Sequence, residues 1–196
     1  MDRLDLQLLK EQLDYHNYLL KKSILGSLYR KYILHPYIDN FVKGLFCDVG
    51  CGVGDYLIAS RHHGIGIDIN PYNVEYVKTL GHSAVLIDTD GRFPLSTNSV
   101  DSVVIDNVIE HLYNPDSVLQ ESVRILKPGG IIVILVPCLK GYSRDKTHVQ
   151  YYDRSAIKSI LIRYGFRIVV SRYIPLPLEW AGRVLGVQSL LVQAMI

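Results

Sequence analysis

The chain has 196 residues, of which 48% are hydrophobic and 20% are charged, and its formal net charge is +2. This length predicts one domain, and the composition excludes a disordered or fibrous chain. Three cysteines without C-x-x-C spacing argue against a disulfide scaffold or a zinc knuckle. The acids and the lack of a long apolar core at the N-terminus predict no signal peptide, and no uncharged apolar run reaches the roughly 20 residues that span a bilayer. We therefore expect a soluble, cytoplasmic protein.

Apolar residues recur at helical intervals from Leu4 to about Tyr32, and Pro36 is expected to end this pattern. A helical N-terminal extension over residues 1–43 is therefore predicted. From Leu45 onward, short apolar runs alternate with helical stretches, which is typical of β-α-β units and a mostly parallel sheet. Strands are expected at 45–49, 64–68, 84–88, 101–106, 130–136, 166–173 and 187–194. Helices are expected near 54–62, 71–80, 115–126 and 153–164.

The first predicted strand runs into an acid and three glycines, CDVGCGVG, at residues 47–54. In a doubly wound sheet, ligands bind where the first strand turns into the first helix, and this turn lies there. A dinucleotide fingerprint reads G-x-G-x-x-G and receives a pyrophosphate, whereas this turn reads G-C-G-V-G. The Asp48 carboxylate would repel a pyrophosphate by on the order of a few kcal/mol. A ligand with a cationic end and no phosphate suits the turn better.

A second acid, Asp68, ends the second predicted strand, 18 positions after Gly50. That spacing is close to the roughly 20 residues expected for an acid that binds ribose hydroxyls. S-adenosylmethionine carries a sulfonium, an ammonium group and a ribose but no phosphate. The two acids together therefore favour it as the ligand.

Over about residues 44 to 170, the chain resembles the class I S-adenosylmethionine-dependent methyltransferases, specifically the small methyltransferase-domain group. The resemblance is based on four segments: FCDVGCGVG, GIGIDINPYNVEYVK, VLIDTDGRFPLSTNSVDSVVIDNVIEHL and LQESVRILKPGG. It implies a Rossmann-like α/β fold with a seven-stranded, mostly parallel sheet, helices on both faces and an antiparallel last strand. One methyltransferase domain would cover residues 1–196. Its donor-binding core would be 44–196, with acceptor-side insertions near 138–152 and 174–186.

The resemblance also implies which residues bind the donor. The residues expected around its methionine moiety are Asp48, Gly50, Gly52 and Gly54. Asp68 with Ile69 would hold the ribose and adenine. Asp88 and Thr89, at the end of the third strand, match the pair that meets the adenine edge, and Asp90 is the alternative to Asp88. Asn107 sits where the family contacts the donor's methionine part or the acceptor; the alternative is a plain turn residue.

Two histidines are candidates for the acceptor side. His148 follows the fifth strand and resembles a recurring histidine of the family, so it is the expected acceptor contact or general base; the alternative is that it only fixes the loop. His111, after Glu110, also resembles the family pattern and is expected to pack. Some quinone-pathway O-methyltransferases bind a divalent metal in this region, after the fourth strand. This chain has Asn107 where they place an acid, so no metal is expected.

The predicted reaction is methyl transfer to oxygen or nitrogen of a small molecule. Eight lysines and arginines against two acids between residues 140 and 172, together with clustered tyrosines, favour a sugar or glycan-pathway conjugate, and an anionic one is left open. Nucleic acid is disfavoured because DNVI replaces the Asp/Asn-Pro-Pro-Tyr segment. The apolar stretch 175–178 with Trp180 leaves peripheral membrane contact or a homodimer open. A silent donor-binding module and an NAD-dependent oxidoreductase are the alternative functions.

Overall fold

The structure is a computed structural model that describes residues 3–21, 23–87, 91–175 and 188–196. The described residues form one seven-stranded sheet with strands β1 (Phe46–Val49), β2 (Gly64–Asp68), β3 (Ser83–Leu86), β4 (Val100–Asp106), β5 (Leu126–Pro137), β6 (Arg167–Ile174) and β7 (Ser189–Met195). Their order is β3-β2-β1-β4-β5-β7-β6. Among these strands, β7 runs antiparallel to β5 and β6, and all other pairs are parallel. The predicted Rossmann-like sheet with an antiparallel last strand is confirmed.

Residues 103–105 of β4 and 131–136 of β5 are apolar at every position, because both faces of the sheet are covered. Successive residues of β4 alternate between two cores: Ile105 belongs to the cluster on one face and Val104 to the cluster on the other. In β5, Ile134 and Leu135 divide in the same way. This burial fixes the strand register, since a slip of one residue would exchange the two faces.

Helices lie along the sheet and in the N-terminal extension: α1 (Arg3–Leu20), α2 (Ile24–Tyr29), α3 (His35–Ile38), α4 (Asp55–Ala59), α5 (Pro71–Thr79), α6 (Asp116–Ile125), α7 (Leu139–Tyr142) and α8 (Arg154–Arg163). Asn70 and Asp153 begin α5 and α8 by accepting hydrogen bonds from backbone N–H groups two and three residues later. The four helices predicted after residue 54 are confirmed to within a few residues. In the part of the chain described, no helix is both long and apolar enough to cross a membrane.

The predicted end of the N-terminal helical region at Pro36 is wrong. Residues 30–34 form a π-helical turn, α3 begins at His35, and a 3-10 turn continues to Phe41. Pro36 lies in the first turn of α3. Proline is tolerated there because its missing N–H interrupts no hydrogen bond, so the chain stays helical to Phe41.

The N-terminal extension is fixed to the core by buried polar contacts. The His16 ring nitrogen Nδ1 lies 2.8 Å from the Asn73 side-chain oxygen, and the Asn70 side chain donates to the Gln12 carbonyl at 2.7 Å. Both asparagines are almost fully buried on or beside α5. These contacts place α1 across the edge of the sheet where β1, β2 and β4 end.

Candidate functional site

A cavity of about 930 Å³ opens at the carboxyl ends of β1, β2, β4 and β5. Three parts of the chain enclose it: the strand ends with the glycine turn, the N-terminal extension, and the loop from residue 137 to 148. The predicted site residues that line it are Asp48, Gly50, Gly52, Asp68, Ile69, Asn107 and His148. Gly54 packs behind the turn against Val77. The expected adenine-edge residues, Asp88 and Thr89, lie outside the described residues.

The backbone N–H groups of the glycine turn are already hydrogen-bonded within the protein. Gly50 and Cys51 both donate to the Ile67 carbonyl, at 2.8 and 3.1 Å. Gly52 donates to Oδ2 of Asp68 at 2.8 Å. A phosphate-binding turn points such donors at its anion, so these three N–H groups are not free to bind a pyrophosphate.

Gly50 is required at its position for two reasons. Its φ is +67°, and a Cβ atom there would lie 2.7 Å from Cγ2 of Val108. Gly50→Ala is therefore expected to lower the free energy of unfolding by about 2–3 kcal/mol and to weaken ligand binding in the cavity, because backbone strain and a steric clash add. Urea unfolding and calorimetric titration with S-adenosylhomocysteine would measure both effects.

Gly81 offers the matched control, since its φ is +85° and a Cβ there would meet nothing within 4 Å. Gly81→Ala is expected to cost only about 1 kcal/mol, the conformational part, and to leave binding unchanged. Equal losses in the two variants would show that the Val108 contact does not restrict the turn.

The cavity is acidic. Among its lining residues, the permanent cations are Lys21 and Arg30, whereas the acids are Asp48, Asp55, Asp68, Asp106 and Asp145. The Asp48 side chain is buried and receives no hydrogen bond from any described residue. Burial raises its pKa well above the usual range, and the nearby Asp106, Asp68 and Asp55 raise it further. A cationic ligand in this cavity would compensate that negative charge.

An ion pair that the sequence analysis missed joins the N-terminal extension to the cavity wall. Arg30 Nη1 donates to Oδ2 of Asp106 at 3.1 Å, and His35 Nε2 lies 3.8 Å from the same oxygen. Burial by itself would raise the pKa of Asp106, but Arg30 and then His35 hold it below the usual range. The partners are 76 residues apart in sequence. No local pattern could have indicated this pair.

Asn107 adopts a left-handed backbone conformation, with φ of +56°, directly after β4. Its side-chain amide donates to Oδ1 of Asp106 at 2.9 Å, and its backbone N–H donates to the Leu135 carbonyl at 3.1 Å. The turn therefore exposes Asn107 to the cavity while Asp106 stays in the wall. The following residue, Val108, packs against the glycine turn.

At the far end of the cavity, His111 and His148 lie side by side with ring centroids 4.6 Å apart. Tyr142 stacks on His148 with ring centroids 5.2 Å apart, and Tyr15 and Tyr18 of α1 also line the cavity. None of the eight basic residues between 140 and 172, which favoured a sugar or glycan-pathway conjugate, lines the cavity. The insertion expected at 174–186, with Trp180, lies almost entirely outside the described residues.

A family model described as "Methyltransferase domain" matches residues 47–134, which contain the glycine turn, Asp68 and the Asp106–Asn107 turn. Over this segment, the chain is similar to the methyltransferase-domain family. The members of this family use S-adenosylmethionine as methyl donor, and the recognition made from the four sequence segments is confirmed.

Relatives and solved structures agree with this family. The chain is 30% identical over 136 residues to a "Probable S-adenosylmethionine-dependent methyltransferase" of Mycolicibacterium smegmatis, covering 62% of this chain and 51% of that protein. It is 24% identical over 124 residues to norajmaline N-methyltransferase of Rauvolfia serpentina, covering 58% of this chain and 42% of that protein. The crystal structure of a SAM-dependent methyltransferase from Aquifex aeolicus superposes with a TM-score of 0.64, at 21% identity, over 87% of this chain and 93% of that one. The chain thus spans about half the length of the curated relatives it matches.

Proposed function

We propose that this protein transfers a methyl group from S-adenosylmethionine to oxygen or nitrogen of a small acceptor. The observation that supports it best is the acidic cavity beside a glycine turn whose N–H donors are already hydrogen-bonded. This combination suits a nucleoside that carries positive charge and no phosphate. The same combination disfavours NAD, because its pyrophosphate would meet Asp48 and find few donors.

We assign the donor to the cavity in the arrangement expected from the sequence. Asp48 and the glycine turn would lie along the methionine moiety, where the buried, unpartnered carboxylate of Asp48 compensates positive charge. Asp68 would accept hydrogen bonds from the ribose hydroxyls chiefly through Oδ1, which accepts from the Asn70 N–H at 2.8 Å and has a second lone pair. Its Oδ2 already accepts from the Gly52 N–H at 2.8 Å and from the Asn73 side-chain amide at 3.4 Å. Ile69 is 68% exposed beside the cavity and offers an apolar surface for the adenine.

When bound, the donor supplies a methyl group on a positively charged sulfur, whose carbon–sulfur bond breaks towards sulfur as the acceptor–carbon bond forms. The protein's contribution is mainly to align the acceptor, which can account for several kcal/mol of the barrier. In the proposed reaction, His148 would take the proton that the acceptor loses. Its Nδ1 is occupied by a 2.8 Å hydrogen bond to the Tyr142 carbonyl, so Nε2 is the atom that can act there.

A polyhydroxyl acceptor such as a sugar remains the preferred class. Tyr15 and Tyr18 provide aromatic surface, and Asp145 and Thr147 provide polar groups on the acceptor side. An anionic conjugate is less suited, since the basic residues expected near it do not line the cavity. The name of norajmaline N-methyltransferase keeps a nitrogen acceptor open for this chain.

The proposed function is tested with S-adenosylhomocysteine and with labelled donor. Calorimetry is expected to show saturable binding of S-adenosylhomocysteine and none of NAD. Incubation with donor labelled in the methyl group and a panel of sugars and amines is expected to label an acceptor. Binding without transfer to any acceptor, including small-molecule extracts, would favour a silent binding module, and tight NAD binding would overturn the proposal.

A further inference from the structure

Three side chains at the acceptor end of the cavity have metal-ligand chemistry. Glu110 and His111 belong to the 3-10 turn after β4, and His148 belongs to the loop before α8. One potential ligand atom of each lies within 4.8 Å of those of the other two. The proposed methyl transfer uses His148 only, and it leaves Glu110 and His111 unexplained.

Glu110 is the most unusual of the three. Its side chain is 1% exposed, and neither carboxylate oxygen has a hydrogen-bond partner among the described residues. The nearest cationic candidate is His148, whose Nε2 lies 3.9 Å from Oε1, beyond hydrogen-bond distance. Buried carboxylates are normally paired, hydrogen-bonded or bound to a metal, so this carboxylate lacks its partner.

The hydrogen bonds of His148 leave Nε2 with a free lone pair. Its Nδ1 lies 2.8 Å from the Tyr142 carbonyl oxygen, and a carbonyl only accepts. Nδ1 must therefore carry the proton. In the neutral ring, Nε2 is then the unprotonated nitrogen that a metal can bind.

The same reasoning fixes the tautomer of His111. Its Nδ1 lies 3.0 Å from the Thr147 hydroxyl and 3.3 Å from the Thr147 carbonyl oxygen. That hydroxyl donates its own proton to Oδ1 of Asp145 at 2.6 Å, so towards His111 it can only accept. Nδ1 of His111 is thus the donor, and Nε2 is free. A chain of hydrogen bonds that orients the outer nitrogen is typical of metal-binding histidines.

We propose that Glu110, His111 and His148 bind a divalent transition-metal ion, of the class of Zn²⁺ or Mn²⁺, at the acceptor end of the cavity. Two imidazoles and one carboxylate are a common set for such ions, and three protein ligands leave positions open for a small molecule. Metal–ligand bonds of about 2.0–2.2 Å bring ligand atoms to about 3.3 Å from one another. The three side chains therefore close around the ion by rotations that move their tips by about an ångström.

A catalytic role of this ion rests on the proposed function, whereas the binding of the ion to the protein does not. An acceptor hydroxyl bound at an open position loses its proton to solvent more readily, because the cation stabilises the resulting alkoxide. In that arrangement His148 acts through the metal and not as a free base. The earlier expectation of no metal was based on Asn107, which is not one of the three residues.

The binding is tested by calorimetric titration of chelator-treated, full-length protein with Zn²⁺ and, separately, Mn²⁺, with neither donor nor acceptor present. One ion per chain is expected. Glu110→Gln and His148→Gln are each expected to lower the affinity at least about 10–100-fold, and His63→Gln, at an exposed histidine outside the cavity, should leave it unchanged. Thr147→Val, which removes the hydroxyl that orients His111, is expected to weaken binding by about 10-fold with the ligands intact.

Circular dichroism of each variant would show that a loss of binding is not a loss of fold. No binding by the folded wild-type protein, or binding that survives both Glu110→Gln and His148→Gln, would overturn the site. Titration with S-adenosylhomocysteine separates the two proposals. If donor binding persists without metal binding, only the metal site falls; if metal binding persists without donor binding, only the proposed function falls.

Discussion

Replacing Asp68 by alanine is expected to lower the affinity for S-adenosylhomocysteine by about 100-fold or more. In the proposed site, its carboxylate accepts hydrogen bonds from two ribose hydroxyls, and hydrogen bonds to a charged group contribute about 1.5–3 kcal/mol each. Asp68→Asn should lose less, because one acceptor oxygen remains. Calorimetric titration of both variants would give the affinities.

Asp68 also holds the protein's own backbone, so its removal should affect folding as well. Its carboxylate accepts from the N–H groups of Gly52 and Asn70, each at 2.8 Å. Losing both acceptors is expected to lower the free energy of unfolding by about 1–3 kcal/mol. Urea denaturation would separate this effect from the loss of affinity, provided that titrations are made where the variant is folded.

The matched control is Asp116→Ala, which removes an aspartate outside the cavity whose side chain is 38% exposed and paired with Arg163. It should change neither the affinity nor the stability by more than a small amount. If a folded Asp68→Ala variant bound S-adenosylhomocysteine as tightly as this control, the ribose assignment would be refuted.

The sheet and the strand-end residues were predictable because they depend on local patterns. The predicted strand 64–68 matches β2, since a short apolar run between turn residues marks a strand within a few residues. Parallel strands bring their carboxyl ends to one edge. Asp48, Asp68 and Asn107 could therefore be placed together without any knowledge of side-chain contacts, and the structure puts all three on one cavity.

The closing of that cavity could not be predicted, because it depends on how distant segments pack. Helical periodicity indicated that the N-terminal extension is helical, but it carried no information on where Tyr15 and Arg30 would lie. The count of basic residues between 140 and 172 likewise gave a local charge without its direction. The lone carboxylate of Glu110 becomes visible only when its burial and its missing partners are known.

The Arg30–Asp106 pair should have a large effect on stability. Arg30→Met keeps an unbranched apolar stem but leaves the Asp106 carboxylate, 9% exposed, without its nearest cation. Removing one partner of a buried ion pair typically costs about 3–5 kcal/mol, so the free energy of unfolding should fall by this amount at pH 7. Arg163→Met, which breaks the exposed pair with Asp116, should cost at most about 1 kcal/mol.

The pH dependence of this loss identifies Asp106 as its cause. In the wild-type protein the pKa of Asp106 is below its unfolded value, so the pair contributes stability above about pH 4 and loses it as the pH falls through the folded pKa. In Arg30→Met, burial without the guanidinium raises the folded pKa. The folded variant is then less destabilised below about pH 4 and loses stability as the pH rises towards 7.

Urea midpoints should therefore differ strongly between wild type and variant at pH 7 and much less at pH 4. An equal difference at both pH values would mean that Arg30 stabilises the extension by packing alone, and that its charge does not stabilise the Asp106 carboxylate.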